Sequence, residues 1–133
     1  MDFAVRIVEL YKFLVEQKKE YIMSKQLLRA GTSIGANVHE GEYAESKADF
    51  VHKNSIALKE ANESLYWLEL LFRTKYISTE TYDSYTKDNK EIISILVATI
   101  KTCKLKMKKV EWKNINEEWK NINVKSRMKN VKS

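Results

Sequence analysis

Apolar residues recur every three or four positions in four separate stretches of this chain. Phe3, Ile7, Leu10 and Leu14, spaced by four, three and four, mark one face of a helix. Asp2 is a good N-cap before it, and Lys18 and Lys19 suit a C-terminal end, where the helix dipole favours cations. Behind Ser24, a second cap residue, come Leu27, Ala30, Gly31, Ile34, Val38 and Gly41. The chain turns near Ala44 and Glu45. Ser46 followed by Asp49 three positions later is a helix-start signature related to the capping box. Phe50, Ala57, Ala61, Leu65, Leu68 and Phe72 form the third stripe, which should stop near Lys75. Ser78 opens the fourth, with Tyr85, Ile92, Ile93, Leu96, Thr99, Ile100, Cys103 and Met107 facing inward. There is no proline, and the three glycines all lie between positions 31 and 41, which favours a few long helices over many short strands. The pattern predicts an all-α fold: an antiparallel up-down four-helix bundle over residues 1–109, then a basic C-terminal extension over residues 110–133.

Three features fall outside the main stripes. Ile56, Trp67, Leu70 and Leu71 lie on a second side of the third helix. A helix apolar on two sides has two neighbours, so these four are candidates for an oligomer interface, unless the bundle itself wraps that side. Gly31 and Gly35 each cost about 1 kcal/mol relative to alanine inside a helix. With Ala30, Ser33 and Ala36 they form a strip of small residues that another helix could approach closely. Arg29, Ser33, Asn37 and Glu40 share one polar side of the second helix. Such a row can face a ligand, but more often it is solvated or holds two helices in register.

Charge divides the 133 residues sharply. Residues 1–103 carry 14 Lys+Arg and 15 Asp+Glu, whereas residues 104–133 carry 10 basic and 3 acidic residues. All of the net charge of +6 therefore comes from the tail. Residues 112–132 read as three seven-residue units, two of them beginning Trp-Lys-Asn-Ile-Asn. Trp112, Ile115, Trp119 and Ile122 have coiled-coil spacing but are out of phase with the fourth helix. The five asparagines at 114, 116, 121, 123 and 130 lower helix propensity, so a helical extension and a disordered tail both fit. The candidate nucleic-acid contacts are Lys104, Lys106, Lys108, Lys109, Trp112, Lys113, Trp119, Lys120, Lys125, Arg127 and Lys129. The cations would meet phosphates and the indoles would stack on bases.

Catalytic chemistry finds little support. His39 and His52 have no second ligand at metal spacing, and no Glu-x-x-His pair of the kind used by metal bundles is present. Cys103, the one cysteine, sits on a buried stripe and reads as a small core residue in a reducing compartment. No phosphate-binding loop, dinucleotide fingerprint or nucleophile elbow occurs. The expectation is no enzyme activity, no catalytic or metal residues and no cofactor. No apolar run approaches the roughly 18 residues of a membrane span. An acid stands where a signal peptide would carry its basic segment, so the expected location is the cytoplasm without membrane association.

Residues 26–41, from Gln26 through Arg29, Ser33, Ile34, Asn37, Val38 and Glu40 to Gly41, resemble the signature of the 23S ribosomal RNA intervening-sequence proteins. Later elements match in order: Ser46-Lys-Ala-Asp-Phe50, residues 56–61, residues 63–68 and Tyr76-Ile77. The resemblance covers residues 3 to about 107. It departs in lacking a proline before the second helix and in carrying the repeat tail. It implies a bacterial-type four-helix bundle assembling into a homo-oligomer, a pentameric ring. It also implies similarity to the accessory proteins of diversity-generating retroelements, basic barrels that engage a reverse transcriptase and nucleic acid. Arg29, Ser33, Asn37, Glu40 and Gly41 are its signature residues here.

Two functions follow from this reading. One is a non-catalytic oligomer that associates with RNA or DNA through its basic surface and tail. The other is a protein-protein scaffold that docks a partner through its helical faces.

Overall fold

The computed structural model describes residues 1–107, four helices in sequence: α1 (Asp2–Glu16), α2 (Met23–Glu42), α3 (Lys47–Arg73) and α4 (Thr79–Leu105). The sequence reading placed the bundle over residues 1–109; residues 108–133, and with them the tail reading, lie outside the described residues. Among the described residues no helix is long and apolar enough to cross a membrane.

The four predicted stripes converge on one core. Phe3, Ile7, Leu10 and Leu14 of α1 meet Leu27, Ala30 and Ile34 of α2, Ala57, Ala61 and Leu68 of α3, and Tyr85, Leu96 and Ile100 of α4. Consecutive helices pack side by side, α1 on α2, α2 on α3 and α3 on α4. The ring closes from α4 back to α1 through polar groups. The Tyr85 hydroxyl donates to the Arg6 carbonyl at 2.8 Å, and the Arg6 guanidinium lies 4.1 Å from the centre of the Tyr85 ring. Arg6 also donates to Ser84 Oγ at 2.7 Å and pairs with Asp88.

Helix ends show where local chemistry differs from the simplest reading. Ser46 and Ser78 cap α3 and α4 as expected, their hydroxyls accepting from the Asp49 and Thr81 amides. Asp2, expected to cap α1, lies inside its first turn; the preceding residue is Met1, with no side-chain cap. α1 stops at Glu16, short of Lys18 and Lys19, and Lys19 takes a left-handed φ of 54°. The cap of α2 is not Ser24 but Glu20. Its carboxylate accepts from the amides of Ile22, Met23 and Ser24 at 3.0, 2.9 and 2.7 Å, serving three of the orphan donors of a helix start. The Ser24 hydroxyl instead donates to the Glu20 carbonyl. α3 ends with Lys75 at φ 69°, where Tyr76 donates to the Leu71 carbonyl and Lys75 to that of Phe72. This is a Schellman ending with lysine in the usual place of glycine.

Glu20 ties a bend to the bundle, and its pKa reports the bond. Burial pushes the carboxyl up, but hydrogen bonds from the Ser24, Met23 and Ile22 amides outweigh it, holding Glu20 below its ordinary value of 4.5. A depressed folded pKa gives stability that is full above the unfolded value and lost as pH falls through the folded one. Glu20→Ala is therefore expected to cost about 1 kcal/mol at pH 7, the worth of a helix cap. Melting temperatures of both proteins should converge as the pH is lowered below 4.5.

Candidate functional site

The signature row of α2 faces α3 and is spent on it. Arg29 reaches across to Glu60 at 3.3 Å and also pairs with Glu63. About three turns further on, Glu40 accepts from Lys53 at 2.9 Å. Between these anchors Ser33 donates its hydroxyl to the Arg29 carbonyl at 2.6 Å, and Asn37 donates its amide to the Ser33 carbonyl at 2.8 Å. The outer members of the row thus pin α3 while the inner two bond their own helix. Gly41, the last signature residue, is buried, and a β-carbon there would come within 3.3 Å of the Asn54 amide nitrogen. The row is a register device between α2 and α3.

Its electrostatics are not uniform. At the exposed end, the hydrogen bond and charge of Lys53 lower the Glu40 pKa, and Glu40 raises that of Lys53. At the other end Glu60 is buried among α3 neighbours. Burial first, then the adjacent Glu63 charge, push its carboxyl above 4.5 despite Arg29 and Lys59. A raised carboxylate pKa favours the fold below the ordinary value and costs stability as pH rises through the raised one. Glu60→Gln is expected to raise the melting temperature at pH 7. The gain should vanish below pH 4.5, where Glu60 is already protonated. Thermal unfolding of the two proteins across this range checks it.

The candidate oligomer residues are distributed differently from the expectation. Leu71 is sealed in the core of its own chain, so it is withdrawn from that set. α3 lies between α2 and α4, and its second apolar side is partly consumed by the bundle. Trp67 packs against the core, half-buried like Ile56 and Leu70. The most exposed large apolar side chains lie elsewhere: Val5, Val8 and Phe13 on α1, Ile95 and Leu105 on α4, and Ile22 and Tyr43 at the ends of α2. Periodicity alone could have found Val5 and Val8, since both fall off the Phe3–Leu14 stripe.

Of the candidate nucleic-acid contacts, Lys104 and Lys106 close α4, where Lys104 is half-buried and Lys106 exposed. Burial, then the charge of Lys101, lower the Lys104 pKa. Lys108, Lys109, Trp112, Lys113, Trp119, Lys120, Lys125, Arg127 and Lys129 lie outside the described residues. His39 is exposed, its ring edge-on to Tyr43 at 5.3 Å, and Cys103 is half-buried. Among the described residues no three His, Cys, Asp or Glu side chains gather where they could hold a metal ion.

The sequence model of the 23S rRNA-intervening sequence proteins matches residues 1–98. The chain belongs to this family. A crystal structure of a protein of unknown function from the S23 ribosomal protein family, from Bacteroides thetaiotaomicron VPI-5482, is 62% identical with a TM-score of 0.75. The similarity covers 75% of this chain and 93% of that one. A search of curated proteins found no match. The family match takes in all of α1 to α3, the signature row and most of α4, and ends before the basic tail.

Proposed function

We propose that this member of the family is a non-catalytic, cytoplasmic helical oligomer that associates with RNA or DNA through its tail. The observation that carries the proposal is the separation of charge. A family body near neutrality precedes thirty residues holding 10 basic and 3 acidic side chains, with Trp112 and Trp119 among them. Each phosphate neutralised releases condensed counterions, and indoles add sequence-tolerant stacking. Self-association multiplies such weak contacts, and the exposed Val5, Val8 and Phe13 along α1 support it. The pentamer and the reverse-transcriptase partner implied by the resemblance belong to this same proposal.

The test is fluorescence anisotropy of labelled RNA and duplex DNA with the full chain and with a chain ending at Met107. The full chain should bind, and removal of the tail should abolish binding. Equal binding by both would refute the tail as the contact.

The second reading, a protein-protein scaffold, is favoured by the same exposed apolar side chains on a body of nearly zero net charge. It expects a protein partner whose capture survives nuclease and high salt.

A further inference from the structure

α1 is shorter than its neighbours α2 and α4, and among the described residues this leaves part of the bundle uncovered. Its 15 residues begin beside the middle of α4, whereas α2 has 20 and α4 has 27. Where α1 is missing, an apolar groove of about 400 Å³ opens. Its lining includes Phe3, Ile34, Val38, Phe50, Ile92 and Leu96, and Ile95 on its rim is 64% exposed. A second groove shares Phe50 and Thr99 with it and runs on to Cys103 and Lys106. The uncovered channel therefore ends beside the last turn of α4.

Gly35 lies in the groove and needs a reason to be glycine. Gly31 has one: a β-carbon there would meet Ile7 Cγ1 at 2.9 Å. At Gly35 no described atom lies within 4 Å of that position, yet glycine in a helix interior costs about 1 kcal/mol relative to alanine. An occupant pressed against α2 would explain it.

We propose that the groove is the docking site of this chain's own tail, with Trp112, Ile115, Trp119 and Ile122 entering it and continuing the line of α1. Three observations choose this occupant. The tail leaves α4 at the channel's mouth, since Lys106 lines the channel and the described chain ends at Met107. The lengths agree: Trp112 to Ile122 spans about 15 Å as a helix, and α4 from Ile92 to Lys106 about 21 Å. The five residues from Met107 to Trp112 reach up to about 16 Å, enough to reverse direction and cross the 8–10 Å between packed helices. Finally, the four side chains have the spacing of a helical seam but are out of phase with α4, so they cannot join the core by extending it. Glu42 at the groove edge adds an anion for a segment rich in lysine.

The docking does not rest on the nucleic-acid reading. A docked tail turns Lys113 and Lys120 outward, and base stacking by its tryptophans would require it to leave the groove.

The test uses the full chain with Trp67→Phe, so that emission comes from Trp112 and Trp119 alone. Acrylamide should quench it several-fold less than it quenches a free peptide of residues 108–133, at every protein concentration. Gly35→Leu, whose β-carbon would lie more than 4 Å from any described atom, should restore peptide-like quenching while circular dichroism still shows a folded bundle. Peptide-like quenching without Gly35→Leu would overturn the proposal, as would protection that Gly35→Leu leaves intact. Protection that disappears on dilution would assign the groove to a second copy and overturn it too. If either variant fails to fold, amide hydrogen exchange of residues 112–122 in the natural chain and in Ile95→Glu reads the same contact. Slow exchange in the first and fast in the second is the expected result, and fast exchange in both, or slow exchange in both, overturns the proposal.

Discussion

Gly31→Leu is expected to destabilise the bundle by about 3 kcal/mol, the upper range for overpacking a filled interior. The cause is local and geometric. A β-carbon on Gly31 would lie 2.9, 3.0 and 3.2 Å from three carbons of Ile7, which is itself fully buried. Ile7 is β-branched and has few rotamers in a helix, so it cannot swing aside, and α1 must move off α2. Gly31→Ala should lose less, because alanine recovers about 1 kcal/mol of helix propensity against the clash. Urea unfolding of the three proteins measures the order: natural chain, then alanine, then leucine. If leucine were tolerated, α1 would not approach α2 at this point.

Leu68→Ala is expected to cost about 3–4 kcal/mol, the opposite error of leaving a hole. Leu68 is fully buried on α3, the helix with neighbours on both sides, so its lost contacts cannot be regained by the movement of one loose element. The loss should appear as a lower denaturant midpoint with an unchanged slope, the mark of altered stability rather than altered unfolded-state compactness. A cost below about 1 kcal/mol would mean that the α2–α3–α4 core collapses around the cavity, against the close packing described.

Periodicity made the helices legible because each buries one side, and a stripe such as Ile7–Leu10–Leu14 needs no knowledge of its partner. The caps at Ser46 and Ser78 were legible for the same local reason. Glu20 was not: its longer side chain reaches forward from a bend at the left-handed Lys19, two positions before the residue that precedes α2, whereas a cap is expected from Ser, Thr, Asp or Asn directly at the helix start. Leu71 was misplaced because one helix read alone cannot show that two neighbours share it. The signature row was visible as Arg29, Ser33, Asn37 and Glu40 on one side of α2. Its partners Glu60, Glu63 and Lys53 were not, since pairing between helices depends on their register. In this chain the row therefore holds α2 against α3, and the charge that could serve a polyanion lies beyond it.

The most direct measurement is the affinity of the full chain for single-stranded RNA at a series of salt concentrations. Contact through the tail lysines predicts that the logarithm of the binding constant falls linearly with the logarithm of salt, with a slope near −0.7 for each phosphate contacted. Several such contacts should therefore give a steep line. No binding near physiological salt, or binding indifferent to salt, would contradict the account.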